Sequence, residues 1–322
     1  MAGENKVSLG VIPVKALITG SSGFVAGHLT DLLHGGGVEV YGLTREDAAA
    51  GGKVKKVYVA DARDEHKIKE ILNEIRPHCI YHLAGVSSVG RSWQNLKETL
   101  AVNIFGALSI LAGVHELGLQ CRVLVVGSAE EYGITGVEPV KEDYPLRPVS
   151  PYGLSKMAQE LLARQYVSAY GTDAVLVRPF NHIGPGQSPD FVVSDFARQV
   201  ARIEKGLQEP VLEVGNLEAI RDFTDVRDVV RVYAALMQHG ETGEVYNVCA
   251  GSGVSIRTVL DILIGLSGRE ISVRTDEKKL RPVENPVLVG SNEKICRAAG
   301  WRPRISLAES LAGVLDYWRN YV

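Results

Sequence analysis

The chain has 322 residues, 45% of them hydrophobic and 23% charged, with a formal net charge of −3. That balance supplies a large buried core and no excess of positive charge, which argues against a nucleic-acid partner. The four cysteines, Cys79, Cys121, Cys249 and Cys296, are far apart and mostly in apolar segments, a pattern that fits reduced thiols in the cytoplasm and neither disulfides nor a metal site.

Residues 1–13 carry no clear pattern and read as a loose leader. No signal peptide is visible and no apolar run approaches the roughly 20 residues that span a bilayer, so no membrane partner is expected. A short apolar strand over 14–18 runs straight into a glycine turn containing Gly20, Ser22 and Gly23, and a helical pattern starts at Phe24 and Val25. Such glycines let a backbone approach a pyrophosphate closely, and the amides at the helix start bind its negative charge. The third small position is Ala26, a departure from the commoner G-x-G-x-x-G spacing, and by itself the turn also fits a plain tight bend.

A second strand over 38–43 ends at Thr44 and Arg45. An NAD-preferring site usually places a carboxylate there for the ribose hydroxyls. Arg45 points instead to a 2′-phosphate and to NADP(H), while Glu46 and Asp47, which follow at once, leave NAD(H) open. A third strand over 57–60 ends at Asp61 and Ala62, where the carboxylate either accepts from an adenine amino group or caps a helix or turn. A fourth over 79–83 closes on Leu83, Ala84 and Gly85, small enough at its end for a cofactor to lie against it.

A long helical pattern from Trp93 to Leu117 is apolar on more than one face. Ile104, Leu108 and Leu111 satisfy the core, and Phe105 or Val114 is left to face a partner, which predicts a homodimer. After a strand over 122–126 comes Ser128-Ala129-Glu130, and then a helical pattern from Tyr152 to Tyr170 that holds Lys156. Residues four apart share a helix face, so the Lys156 ammonium is expected beneath the Tyr152 ring, favouring its phenolate and bringing a phenol that titrates near ~10 toward neutrality. Tyr152 then exchanges a proton with an oxygen whose carbon exchanges a hydride, and Ser128 holds that oxygen. A lone Y-x-x-x-K is more often an exposed pair on a helix, so the reading depends on its neighbours.

A strand over 174–178 completes an alternation of strands and helices that implies an α/β fold: a doubly wound parallel sheet (Rossmann) with helices on both faces. Beyond residue 180 the texture changes to Pro, Gly and Asn punctuation with short strands over 211–214 and 271–274. This predicts a smaller, partly interleaved C-terminal α/β substrate-binding domain. A helix over 225–238 and a strand over 245–249 are expected to return to the main sheet. The dinucleotide domain is accordingly 14–181 with 223–252, and the substrate domain 182–222 with 253–322. Gly20, Asp61, Ala84, Ser128 and Asn181 all fall at or just past the carboxyl ends of strands, where ligands of such sheets collect.

The glycine turn, Asp61, the Ser128 segment and Tyr152-x-x-x-Lys156 together resemble the extended short-chain dehydrogenase/reductase family over nearly the whole chain. The strings from Phe180 to Gln187, from Val214 to Asp228 and from Leu280 to Glu284 are similar to the branch acting on GDP-linked 6-deoxyhexoses. The resemblance implies that Arg281 and Arg221 neutralise the nucleotide diphosphate and that Glu284 accepts from its ribose. It implies further that Asn181, Ser87 and Asn216 contact the sugar nucleotide and that His182 contacts the cofactor. Without the resemblance each reads as an ordinary ion pair or loop cap. Arg227 and Asp228 are assigned to helix-start electrostatics.

The activity so implied is NAD(P)H-dependent reduction of the C4 ketone of GDP-4-keto-6-deoxy-D-mannose to GDP-D-rhamnose, with Ser128, Glu130, Tyr152 and Lys156 as the catalytic set. GDP-mannose 4,6-dehydration, alone or as a second activity, is the alternative, because the dehydratases of this branch use a glutamate at the Glu130 position. Gln187, where those dehydratases carry an arginine, and Phe24-Val25, where they typically read Asp-Gly, favour the reductase. Epimerase-reductases carry a cysteine in place of Glu130. A sugar-nucleotide-binding protein that has lost the chemistry is the third reading, and the intact Ser128, Tyr152 and Lys156 argue against it.

Overall fold

The computed structural model describes residues 15–46, 52–136, 139–280, 283 and 285–322. The expected leader, Val14, Asp47, Arg281 and Glu284 lie outside the described residues. In chain order the first half comprises β1 (Lys15–Thr19), α1 (Phe24–Gly35), β2 (Glu39–Thr44), β3 (Lys56–Val59), α2 (Glu65–Ile75), β4 (Cys79–His82), α3 (Val89–Gln94), α4 (Leu96–Leu100), a π-helical turn (Ala101–Phe105) and α5 (Gly106–Glu116). Then come β5 (Arg122–Val126), a 3₁₀ turn (Ala129–Glu131), α6 (Pro151–Tyr170), β6 (Ala174–Pro179), β7 (Asn181–Ile183), α7 (Val192–Glu204), β8 (Val211–Val214), β9 (Ile220–Asp225) and α8 (Val226–His239). The chain finishes with β10 (Val245–Val248), β11 (Gly253–Ser255), α9 (Ile256–Ser267), β12 (Ser272–Thr275), a 3₁₀ turn (Glu277–Lys279), β13 (Val287–Leu288), α10 (Glu293–Ala299) and α11 (Leu307–Tyr321).

Seven strands form one parallel sheet in the order β10-β6-β5-β4-β1-β2-β3. This is the doubly wound architecture that the alternating pattern predicts. β4, β5 and β6 are apolar runs buried along nearly their whole length, as strands covered on both faces must be. One face packs on α1, α8 and α10, through Leu29, Leu33, Val229, Tyr233 and Ile295. The other packs on α2, α5 and α6, through Ile68, Ile71, Leu111 and Ala163. The helix over 226–239 and the strand over 245–248 return to this sheet as expected, β10 pairing with β6. A separate core, with Val193, Phe196, Leu260 and Leu311, lies among α7, α9 and α11. Ile295 and Trp301, expected in the substrate portion, belong instead to the core of the main sheet.

The segment read as one helix from Trp93 to Leu117 is interrupted. Asn95 ends α3, and the π-helical turn separates α4 from α5. A wide turn inserts extra backbone and rotates every later residue relative to a 3.6-residue period. Of the two residues offered for a partner-facing role, Phe105 is 54% exposed and Val114, on the opposite face of the helix, is buried in the core. The stretch Leu96–Glu116, 21 residues whose most apolar 18-residue window has a mean hydropathy of 1.4, is long and apolar enough to cross a membrane, which corrects the sequence reading; 61% of that window is buried inside the protein.

Asp228 also does more than complement a helix start. Asp225 caps α8, accepting from the Arg227 backbone at 2.8 Å and pairing with its side chain. Asp228 is fully buried, pairs with Arg231, and accepts from the backbone of Arg304 at 2.7 Å and Ile305 at 2.9 Å. It ties the loop before α11 to the main domain. Asp228→Ala strands these buried donors and should lower stability by about 3 kcal/mol in urea unfolding; a loss below about 1 kcal/mol would show the tether to be dispensable.

Candidate active site

The carboxyl ends of β1, β2, β4, β5 and β6 open into a single cavity of about 1350 Å³. At its floor, Gly20 adopts φ +68°, and a Cβ there would sit 2.9 Å from the Ala84 backbone. Only glycine allows this approach of β1 to β4. Gly23 is the N-cap of α1 and offers no side-chain cap, so the first amides of that 12-residue helix have no side-chain partner at its cavity end. This is the chemistry of an anion cradle and it fits a dinucleotide pyrophosphate. Ser22 bonds Thr44 at 3.0 Å, which fixes the turn to the end of β2. Phe24 stacks on His182 with ring centroids 6.2 Å apart and planes within 6°, while Val25, Ala62, Leu83 and Gly85 line the same wall. Burial holds His182 below its ordinary value, so the ring is neutral at pH 7.

At the far end stand Arg45 and Asp61. Asp64, not Asp61, caps α2, accepting from Lys67 at 3.0 Å. Asp61 makes a turn with the Arg63 backbone at 2.9 Å and a forked pair with its guanidinium at 3.0 and 2.6 Å. Glu98, on α4, joins Arg63 at 2.9 Å to Arg45 at 3.6 Å. Arg63 and Glu98 give no signal in the sequence, because nothing local places α4 beside β2.

The residues predicted as catalytic meet where β5 ends beside the start of α6. Ser150 caps α6 through the Gly153 amide at 3.0 Å, and Pro151 occupies the first turn, so Tyr152 emerges at the helix mouth. Ser128 caps the 3₁₀ turn, accepting from Glu130 at 3.2 Å. Burial pushes the Tyr152 phenol above its ordinary value; the Ser128 hydroxyl beside it favours the phenolate and offsets this only in part, and Glu130 adds to the rise. Lys156 is not the partner that the helix spacing predicts. Its ammonium donates to the Val126 carbonyl at 2.8 Å and to Gln159 Oε1 at 3.0 Å, and burial pushes it down to about 8. The phenol therefore keeps its proton at neutral pH instead of being driven toward phenolate.

Two more buried residues hold this arrangement and escape the sequence reading. Gln159 Nε2 donates to the same Val126 carbonyl at 3.3 Å. Asn103, on the π-helical turn, accepts from the Val86 amide at 2.8 Å and donates to Ser155 at 2.8 Å, clamping the β4 loop against α6. The only trace of Asn103 in the sequence is a polar residue inside an apolar helix.

Ser87, Glu130, Asn181, Asn216 and Arg221 also line the cavity. Arg221 is 6% exposed and donates to the Ile220 carbonyl at 2.9 Å; Asn216 accepts from Glu218 at 2.9 Å. Gln187 holds the His182 carbonyl at 2.8 Å, which positions the stacked ring. Among the described residues no cluster of His, Cys, Asp or Glu could hold a metal ion.

The family model described as GDP-mannose 4,6 dehydratase matches residues 17–313. The chain belongs to this family. GDP-6-deoxy-D-mannose reductase of Pseudomonas aeruginosa is 34% identical over 310 residues, covering 96% of this chain and 98% of the relative. GDP-mannose 4,6 dehydratase 2 of Arabidopsis thaliana is 30% identical, over 94% of this chain and 86% of the plant protein. Among solved structures, that of RMD from Pseudomonas aeruginosa complexed with NADPH matches with a TM-score of 0.84 at 34% identity, over 96% of this chain and 99% of that one. UDP-glucose 4-epimerase of Thermus thermophilus in complex with NAD matches with a TM-score of 0.85 at 29% identity, over 96% and 100%. The GDP-mannose 4,6-dehydratase family thus has both reductases and dehydratases among this chain's relatives, and the choice between them rests on the site.

Lys156 yields a prediction independent of substrate. A lysine whose folded value lies near 8, below its ordinary 10.5, is a burden while charged, and that burden is relieved as pH rises from about 8 to 10.5. Lys156→Met should therefore raise stability at pH 7, by at most ~3 kcal/mol, and the gain should shrink above pH 8. Thermal unfolding across pH checks this; a variant less stable at pH 7 would show that the two hydrogen bonds outweigh the buried charge.

Proposed function

We propose that this protein reduces the C4 ketone of GDP-4-keto-6-deoxy-D-mannose to GDP-D-rhamnose with NADP(H). The observation that carries the reading is the meeting of Ser128 and a protonated Tyr152 in the cavity that also holds the Gly20 turn and the open start of α1. The relative named GDP-6-deoxy-D-mannose reductase and the NADPH-bound RMD structure support the substrate class and the cofactor. Arg45 supports NADP(H) over NAD(H), which remains usable.

Bound reduced nicotinamide supplies the hydride. Tyr152, with its proton held by burial, is suited to give it to the oxygen that becomes the C4 hydroxyl. The Ser128 hydroxyl donates to the same oxygen while it is still a carbonyl. Lys156 fixes the end of β5 beside α6, and one N–H of its ammonium remains for a cofactor ribose. Gly20, Ser22, Gly23, Phe24 and Val25 cradle the pyrophosphate. Asp61, Ala62 and Arg45 take the adenosine end, and Leu83, Ala84, Gly85 and His182 line the middle. Ser87, Asn181, Asn216 and Arg221 hold the sugar nucleotide, with Arg281 and Glu284 assigned to its diphosphate and ribose.

Tyr152→Phe should lose ~10² to 10⁴ in turnover and keep its affinity for GDP and NADPH. Absorbance loss of NADPH with the 4-keto sugar reads turnover, and near-normal turnover would show that another group is the acid. Glu130 in the cavity favours a second reading, dehydration of GDP-mannose in the same site. GDP-mannose offered alone distinguishes them: accumulation of the 4-keto product without net cofactor consumption would establish the lyase.

Phe105, Leu154 and Leu161 are 54%, 43% and 52% exposed on helices that pack side by side, and we assign this face to a homodimer. Sedimentation at micromolar concentration should give a dimer, and a purely monomeric profile would remove the assignment. The free thiols of Cys79, Cys121, Cys249 and Cys296 support a cytoplasmic setting.

A further inference from the structure

A fully buried carboxyl group lies directly behind the reacting serine. Glu131 is 0% exposed, and its Oε1 accepts from the Ser128 amide at 2.7 Å. The pair is packed without slack, since a Cβ on Gly127 would collide with that same oxygen. The other oxygen, Oε2, is also buried and, as an acceptor, has no hydrogen-bond donor among the described residues. The nearest cation, Arg178, is 3.7 Å away and is committed elsewhere: its guanidinium holds Glu160 at 2.6 and 2.7 Å and the Tyr132 hydroxyl at 2.8 Å.

An anion at Glu131 would leave one oxygen buried without a proton and put two carboxylates beside one guanidinium. A neutral acid has neither difficulty, because the proton on Oε2 gives Glu160 a donor. We infer that Glu131 is a positioning residue for catalysis: as a neutral carboxylic acid it accepts from the Ser128 backbone and donates to Glu160, holding the Ser128 hydroxyl where the ketone oxygen is polarised.

The surrounding charges agree. On the turn itself stand Glu130 and Tyr132. From α6 come Tyr152, Lys156 and Glu160, with Arg164 on the outer side of Glu160 at 3.0 Å. From β6 comes Arg178, and the loop before α6 contributes Glu142, whose carbonyl accepts from Arg178 at 3.0 Å. Burial pushes Glu131 well above the usual carboxylate range, Glu160 adds to the rise and Arg178 opposes it. Burial raises Glu160 too, but its bonds to Arg178 more than reverse this, so the shared proton belongs on Glu131. A neutral Glu131 also keeps negative charge away from the phenol as it gives up its proton.

The inference rests on Ser128 acting on the ketone, and its test separates the two. Isotope-edited infrared spectra of the full-length protein at pH 7 should show a protonated carboxyl stretch that disappears in Glu131→Gln. In turnover assays with NADPH, Glu131→Leu should lose ~10-fold or more in kcat with KM nearly unchanged, and Glu131→Gln, which keeps both an acceptor and a donor, should restore most of that loss with the pH profile of the natural enzyme. Absence of the protonated band, or a Gln variant as impaired as the Leu variant, would overturn the assignment. If Glu131→Leu does not fold, the infrared band and the Gln variant still decide. A band that is present in a protein whose Ser128→Ala variant turns over normally would sink the role of Ser128 and the positioning role with it, while leaving the neutral carboxyl established.

Discussion

The active site depends on how one buried ammonium is anchored. Lys156 forms no salt bridge among the described residues and spends two of its N–H donors on the Val126 carbonyl and Gln159, which binds α6 to the last residue of β5. Ser128 follows two residues after Val126, and Tyr152 precedes Lys156 by one helical turn. Fixing Lys156 to β5 therefore brings the hydroxyl and the phenol together from two elements that nothing in the chain makes adjacent. The charge is held by carbonyl dipoles rather than by an ion pair, which is why burial dominates its titration.

The same low dielectric governs the neighbours. Tyr152 and Glu131 are both pushed toward their neutral, protonated forms, and His82, buried beneath the site, is pushed down to about 3 and stays neutral as well. Tyr152 and Glu131 thus keep their protons beside the Lys156 ammonium. That state suits donation of a proton to an oxygen, and it makes the phenol an acid by retention rather than by activation. The expected ammonium beneath the ring would have produced the opposite balance.

The cofactor half is governed by backbone, not by titration. Gly20 lets β1 and β4 approach, α1 begins without a side-chain cap, and the parallel register brings Thr19 level with His82 and Leu43. Charge enters only at the rim, where Arg45, Arg63, Asp61 and Glu98 form a surface network that solvent weakens. The residues proposed for the sugar nucleotide, Arg221, Asn216 and Asn181, line the same cavity.

Local patterns determined much of this protein. Apolar runs four to six residues long, separated by helical periods, are sufficient for a parallel sheet, since only strands buried on both faces need them. The observed β5 and β6 begin where the runs at 122–126 and 174–178 begin. Ser128, Tyr152 and the glycine turn were legible because each sits where a strand or helix must begin or end. Tertiary structure alone decided the partners. Lys156 turned from Tyr152 to Val126 because helix spacing says which residues share a face but not which carbonyl lies opposite it. Val114 went into the core and Phe105 to the surface because helix spacing sets the two on opposite faces but does not say which face meets the sheet. Glu131, Gln159 and Asn103 became part of the site because a polar side chain inside an apolar layer must find its hydrogen bonds across the fold, and the chain's order does not say where those are.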